Sequence, residues 1–168
     1  MPPDYYIVRF ATQSDAQEID RMLRSLAAFE KTSDALSYSI AELQFALSSP
    51  NLRMQAVVAE DFGRLIGCVT FTKDFAIWSG GPILRIDDVF VEEAYRGVGI
   101  GTALMKEVAA YAVAQNASVR WEIESDNHAA MRFYEGLGAT LKAKTVARWS
   151  VDEMRKLSKP KSRLKIVS

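Results

Sequence analysis

Cysteine is nearly missing from this sequence: Cys68 is the only one in 168 residues. A lone thiol closes no intramolecular disulfide and builds no thiolate zinc site, so neither a staple nor a metal is expected. Net charge is missing as well. The 21 basic and 21 acidic residues cancel, so no global field draws the chain onto nucleic acid or an anionic membrane, and neither is an expected partner. No apolar run approaches the ~18 residues of a membrane-crossing helix. Met1-Pro2-Pro3-Asp4 opens no basic-then-apolar leader, so the expected location is cytoplasmic. Repeats, linkers and low-complexity stretches are also lacking.

What is present is globular. With 49% hydrophobic, 25% charged and 10% aromatic residues, the chain has the average composition of a soluble domain. Its length predicts a single domain over residues 1–168 that buries roughly two-thirds of its unfolded surface, with a basic tail at about 159–168. Tyr5–Phe10 reads as a strand. Ser14 and Gln17 have capping-box spacing, and Ile19, Met22, Leu23, Leu26 and Phe29 recur at the helical period, predicting a helix with that face buried. Ser39 and Glu42 predict a second helix, stopped by Pro50. Met54–Glu60 and Leu65–Lys73 flank Asp61-Phe62-Gly63-Arg64 and predict a hairpin. Ile83–Val91 reads as a buried strand that carries two adjacent acids, Asp87 and Asp88, which strand alternation sends to opposite faces.

A helix follows Gly101, then a strand at Val119–Ile123. Asp126 or Asn127 caps a helix that Gly138 ends, Leu141–Ser150 reads as the last strand or strands, and Ser150 with Glu153 starts a terminal helix. The order β-α-α-β-β-β-α-β-α-β plus a helix predicts an α/β fold of the α+β type, a mixed and mostly antiparallel sheet flanked by helices.

Arg96-Gly97-Val98-Gly99-Ile100-Gly101 lies between strand and helix. Glycines there let backbone approach a ligand, and the helix start offers unpaired N–H groups that favour phosphate oxygens. Arg96 can add a charge-assisted hydrogen bond. Three phosphate motifs compete. A P-loop needs Lys-Ser/Thr after its last glycine, where this chain has Thr102-Ala103. A Rossmann fingerprint gains from Glu122, about twenty residues on, but Gly97, Gly99 and Gly101 alternate and Glu92–Tyr95 intervenes between strand and loop. The third is Arg/Gln-x-x-Gly-x-Gly/Ala, matched by Arg96, Gly99 and Gly101.

On that motif the chain resembles the Gcn5-related N-acetyltransferase (GNAT) superfamily. The likeness extends through Ile86-Asp87-Asp88-Val89-Phe90-Val91, Tyr95–Gly101, Asn127, Phe133-Tyr134 and Gly138-Ala139, and more weakly through Leu26–Glu30 and Trp78. Within the superfamily it is most similar to diamine (spermidine/spermine) and thialysine N-acetyltransferases. The resemblance implies acetyl-CoA as co-substrate without metal, a small-molecule primary amine as acceptor, and a homodimer. It implies that Val89, Phe90 and Val91 offer main-chain groups to the pantetheine arm, with Val89 N–H as an oxyanion donor. Arg96, Gly97, Val98, Gly99, Ile100, Gly101 and Thr102 would hold the diphosphate, and Asn127, His128, Ala129 and Ala130 would flank the arm. Tyr134 would be the proton donor to the leaving thiolate. Asp87 would help deprotonate the amine through water, from a position where the family has glutamate, and Phe29, Glu30 and Asp87 would line the acceptor site. Read without the motif, Tyr134 is a core residue at helical spacing beside Ala130, Phe133 and Leu137, His128 an exposed helix-start residue and Cys68 a buried small hydrophobe. Two other functions fit the same cleft: a non-catalytic acyl-CoA-binding regulatory domain, and a protein or peptide N-acetyltransferase.

Overall fold

The computed structural model describes residues 5–30, 32, 36–49 and 54–158. The expected basic tail, Pro50 and the chain's first four residues lie outside these. Residues up to Glu124 form one compact unit and those from Ser125 a second.

In the first unit, β1 (Ile7–Phe10), β2 (Met54–Asp61), β3 (Arg64–Ala76), β4 (Gly81–Val91) and β5 (Ser118–Arg120) form one sheet in that order. The first four are antiparallel neighbours and β5 runs parallel to β4. The mixed, mostly antiparallel sheet is the one expected. Between β2 and β3, Phe62 and Gly63 take φ of 44° and 82°. Two positive φ values give the turn whose twist matches a hairpin.

Helices α1 (Ala16–Phe29) and α2 (Ile40–Ser48) cover one face, where Ile19, Met22, Leu23 and Leu43 pack with Ala56, Val58, Cys68 and Phe90. The alternate strand residues Val57, Val69 and Phe71 face the other way. There α3 (Ile100–Ala114) closes the layer, and Tyr111 meets the rings of Phe10 and Phe71 at 5.2 and 5.8 Å. Gly67 permits this packing: a Cβ there would stand 2.9 Å from the Phe90 carbonyl oxygen and 3.1 Å from Leu104 Cδ1. The second unit holds α4 (His128–Gly136) and α5 (Val151–Ser158).

Three local expectations are corrected. The cap before α1 is Thr12 with Asp15, not Ser14 with Gln17: the Thr12 N–H donates to Asp15 Oδ2 at 2.7 Å. Arg9 selects it, binding Asp15 through both Nη atoms at 2.8 and 2.9 Å and Glu60 at 2.7 Å. Phe29 is 70% exposed. Ten residues past Ile19, at about 100° each, the stripe has drifted off the buried face. Finally, residues 141–150 form no strand; nearly all are exposed and no ladder pairs them. An extended run becomes a strand only when a neighbour takes its N–H and C=O groups.

Hydrogen bonds from Arg9 hold the Asp15 carboxyl down at about 2, against 3.8 for the free side chain. A depressed folded pKa stabilises above the unfolded value and loses that contribution as pH falls through the folded one. Asp15→Asn should therefore cost at most about 2 kcal/mol at pH 7, with the gap closing between pH ~4 and ~2. Urea midpoints of both proteins across that range check it, and a gap that persists at pH ~2 contradicts it.

Candidate active site

The strand β4 has two partners for only part of its length. It pairs with β3 throughout, but with β5 only through Ile83–Arg85. Among the described residues no strand pairs with Ile86–Val91 on the β5 side. That edge presents main-chain groups an extended ligand can use in place of a strand.

The edge contains a bulge. Thr70 pairs with Asp88 and Phe71 with Ile86, leaving Asp87 as the extra residue. A bulge re-aims side chains, so the alternation that sends Asp87 and Asp88 to opposite faces is broken at this point. Burial first, then the charge of Asp88, raises the Asp87 pKa, while Arg85 lowers it. Burial, then Asp88 and Glu124, raises that of Glu30. Thr70, 1% exposed, donates its hydroxyl to Asp88 Oδ2 at 2.7 Å. Asp88 is thus the charge felt by both Glu30 and Asp87, and the structure adds it and its partner Thr70 to the candidate residues. Their place was hidden in the sequence, because it depends on the register between β3 and β4.

Beyond Val91 the chain passes through one 3-10 turn, Glu93–Tyr95, into the glycine loop. Gly97 and Gly99 have φ of +77° and +94°, and Gly99 is the N-cap of α3 with no side chain capping it. The first N–H groups of a helix have no intrahelical acceptor. Here they open onto a loop where a Cβ at Gly97 or Gly99 would meet nothing within 4 Å. Thr102 lies in the same first turn. Arg96 donates from Nε to the Val91 carbonyl at 2.9 Å, and its Cζ lies 5.8 Å from the centre of the Phe29 ring. A groove of about 430 Å³ adjoins it, lined by residues including Arg21, Ser25, Phe29, Phe90, Glu92 and Arg96. Arg21 and Arg64 fix Glu92 at 2.7 and 2.9 Å. These residues fit a diphosphate-bearing thioester: an open peptide cradle, a helix start and an arginine, in line with an unpaired strand edge.

In the second unit, Asn127 caps α4 by accepting from the Ala130 N–H at 3.0 Å, and His128 and Ala129 are exposed in its first turn. Tyr134 is 7% exposed, its ring 5.0 Å from that of Phe133, and burial pushes its phenol up to about 12. Cys68 is fully buried, and burial pushes its thiol up to about 12, so it carries no thiolate.

The family model described as Acetyltransferase (GNAT) family matches residues 19–139, a span that includes the strand edge, the cradle and Tyr134. The chain belongs to the GNAT family. This GNAT protein is an acetyltransferase, and the family uses acetyl-CoA as co-substrate. It is 31% identical to a thialysine N-epsilon-acetyltransferase of Mus musculus, over 79% of this chain and 82% of that protein. It is 28% identical to a human spermidine/spermine N(1)-acetyltransferase-like protein over 81% of this chain, but spans only 21% of that protein's length. In fold it is similar to a V. cholerae integron cassette protein, with a TM-score of 0.74 and 24% identity over 92% of this chain and 98% of that one. An aminoglycoside acetyltransferase from a soil metagenomic sample has a TM-score of 0.74 at 17% identity, covering 88% of this chain and 96% of that one. Among the described residues no helix of this GNAT protein is long and apolar enough to cross a membrane, and no cluster of metal-ligating side chains is present.

Proposed function

We propose that this enzyme transfers the acetyl group of acetyl-CoA to a primary amine of a small molecule, a polyamine or an amino-acid-like amine such as thialysine, by direct attack. The observation that carries the reading is the unpaired edge of β4 running into an uncapped helix start, flanked by Glu30, Asp87 and Asp88. Acetyl-CoA supplies an activated carbonyl and a thiolate leaving group. Main-chain groups of Val89–Val91 align the pantetheine arm, and Arg96 to Thr102 hold the diphosphate. Rigid main-chain anchors matter because a small misplacement of the carbonyl costs rate. Val89 N–H is the oxyanion donor.

The acceptor must lose a proton. An alkylammonium has a pKa of about 10.4, so freeing it at pH 7 costs about 4.6 kcal/mol. Asp87 accepts that proton through water, and its raised pKa makes it a better base than an unperturbed carboxylate. It must be ionised to act, so the rate climbs as pH rises through its pKa. Phe29 and Glu30 bound the acceptor, and the acids favour a second positive charge on it. The relatives' names support amines of this class. The protein works as a cytoplasmic homodimer on this reading. A second copy would cover Phe75, Ile77 and Trp78, which are 61%, 85% and 104% exposed around the β3–β4 turn.

Thiol release from acetyl-CoA with a panel of amines tests the proposal. Diamines, polyamines and thialysine should exceed simple monoamines in kcat/KM by about tenfold or more. Binding of acetyl-CoA without release across the panel would show a regulatory acyl-CoA-binding domain instead. Release only with peptide lysines would show a protein acetyltransferase.

A further inference from the structure

The Phe29 ring stands at the end of α1, 70% exposed, where the buried stripe of that helix has already run out. A single exposed apolar side chain is ordinary. This one has a specific neighbour, since the guanidinium carbon of Arg96 lies 5.8 Å from its ring centroid, within the range where a cation is drawn to an aromatic face. Arg96 is also held from behind, because its Nε donates to the Val91 carbonyl oxygen at 2.9 Å. That bond uses one of five N–H groups. The two Nη groups make no hydrogen bond or ion pair among the described residues.

Two restraints of different kind thus act on one planar group. The backbone carbonyl fixes the Nε corner and the ring limits rotation of the plane. A guanidinium so held keeps its free N–H pair ready for a bidentate oxyanion, at little further entropic cost. Arg96 directly precedes Gly97 and the uncapped start of α3, where phosphate oxygens are expected.

We propose that Phe29 is a positioning residue for the cofactor: it acts through Arg96 to set affinity for the diphosphate, in addition to bounding the acceptor. The proposal rests on the cradle reading given above. It follows that an aromatic ring, and not apolar bulk alone, is required at position 29. It also follows that lysine cannot replace Arg96, since an ammonium has neither the plane nor the Nε corner.

Isothermal titration with coenzyme A and with pantetheine, which lacks the diphosphate, is the test. Phe29→Leu and Phe29→Ala should weaken coenzyme A about three- to tenfold and Phe29→Tyr should bind as the parent does, while pantetheine binding shifts less than about twofold. Arg96→Ala should weaken coenzyme A about tenfold or more, and adding Phe29→Leu to it should cost nothing further. Phe29→Leu that binds coenzyme A like the parent, or that adds its full effect on top of Arg96→Ala, overturns the proposal. Failure of the cradle itself looks different: the parent protein would then bind pantetheine as tightly as coenzyme A.

Discussion

Tyr134→Phe lowers kcat for acetyl transfer by about 10²–10⁴-fold and leaves the coenzyme A Kd within about twofold. The substitution keeps the ring and deletes one hydroxyl, so the buried contact with Phe133 survives and thermal unfolding should shift by only a few degrees. Magnitudes decide how the hydroxyl acts. Burial pushes the phenol up to about 12, whereas a thiol has a pKa of roughly 8.5. Complete proton transfer from phenol to thiolate is thus uphill by about 5 kcal/mol. In the proposed reaction Tyr134 would therefore act as a hydrogen-bond donor to the departing sulfur, strongest when charge has built up there, with solvent completing the protonation. A pH profile tests the raised phenol on which this argument rests. With its proton held up to about 12, Tyr134 adds no descending limb to kcat below pH ~11. A limb near pH ~10 that disappears in Tyr134→Phe would show an ordinary phenol instead. Unchanged turnover in the variant would remove Tyr134 from the chemistry.

Much of this arrangement was legible because its causes are local. Ser39 and Glu42 cap α2 through contacts three residues apart, and the glycine loop declares its backbone requirement in Gly97 and Gly99 themselves. Where distant residues decide, reading along the chain fails. The cap on α1 moved to Thr12 because Arg9 ties Asp15 to Glu60, 45 residues further on, and no spacing rule contains that bond. The relation of Asp87 to Asp88 turned on a bulge that exists only relative to β3. Phe29 left the buried stripe through accumulated helical drift and gained Arg96 as a neighbour instead. Tyr134 shows the reverse limit. Its helical spacing correctly indicated a buried residue, yet burial alone says nothing of a role, and only the family motif assigns one.

Gly99→Val should raise the coenzyme A Kd by at least about tenfold in a protein that still folds. Two effects act in the same direction. At φ +94° a β-branched residue is a backbone outlier, so valine pulls the loop toward negative φ and turns the N–H groups of the helix start away from a common focus. Its methyl groups also project into the space a diphosphate must enter, since nothing of the protein now stands within 4 Å of a Cβ there. That emptiness separates binding from folding. At Gly67 an added Cβ meets backbone at 2.9 Å and would break the packing of α3 on the sheet. At Gly99 it meets no neighbour, so the stability cost should be limited to the local strain, about 1–2 kcal/mol. Gly99→Ala, with a smaller φ penalty and less bulk, should fall between valine and the parent. Calorimetric titration alongside thermal unfolding reads both quantities. A folded Gly99→Val that binds coenzyme A normally would mean that the α3 helix start does not hold the diphosphate, and the order of effects, large on binding and small on stability, is what a ligand cradle requires and a purely structural turn does not.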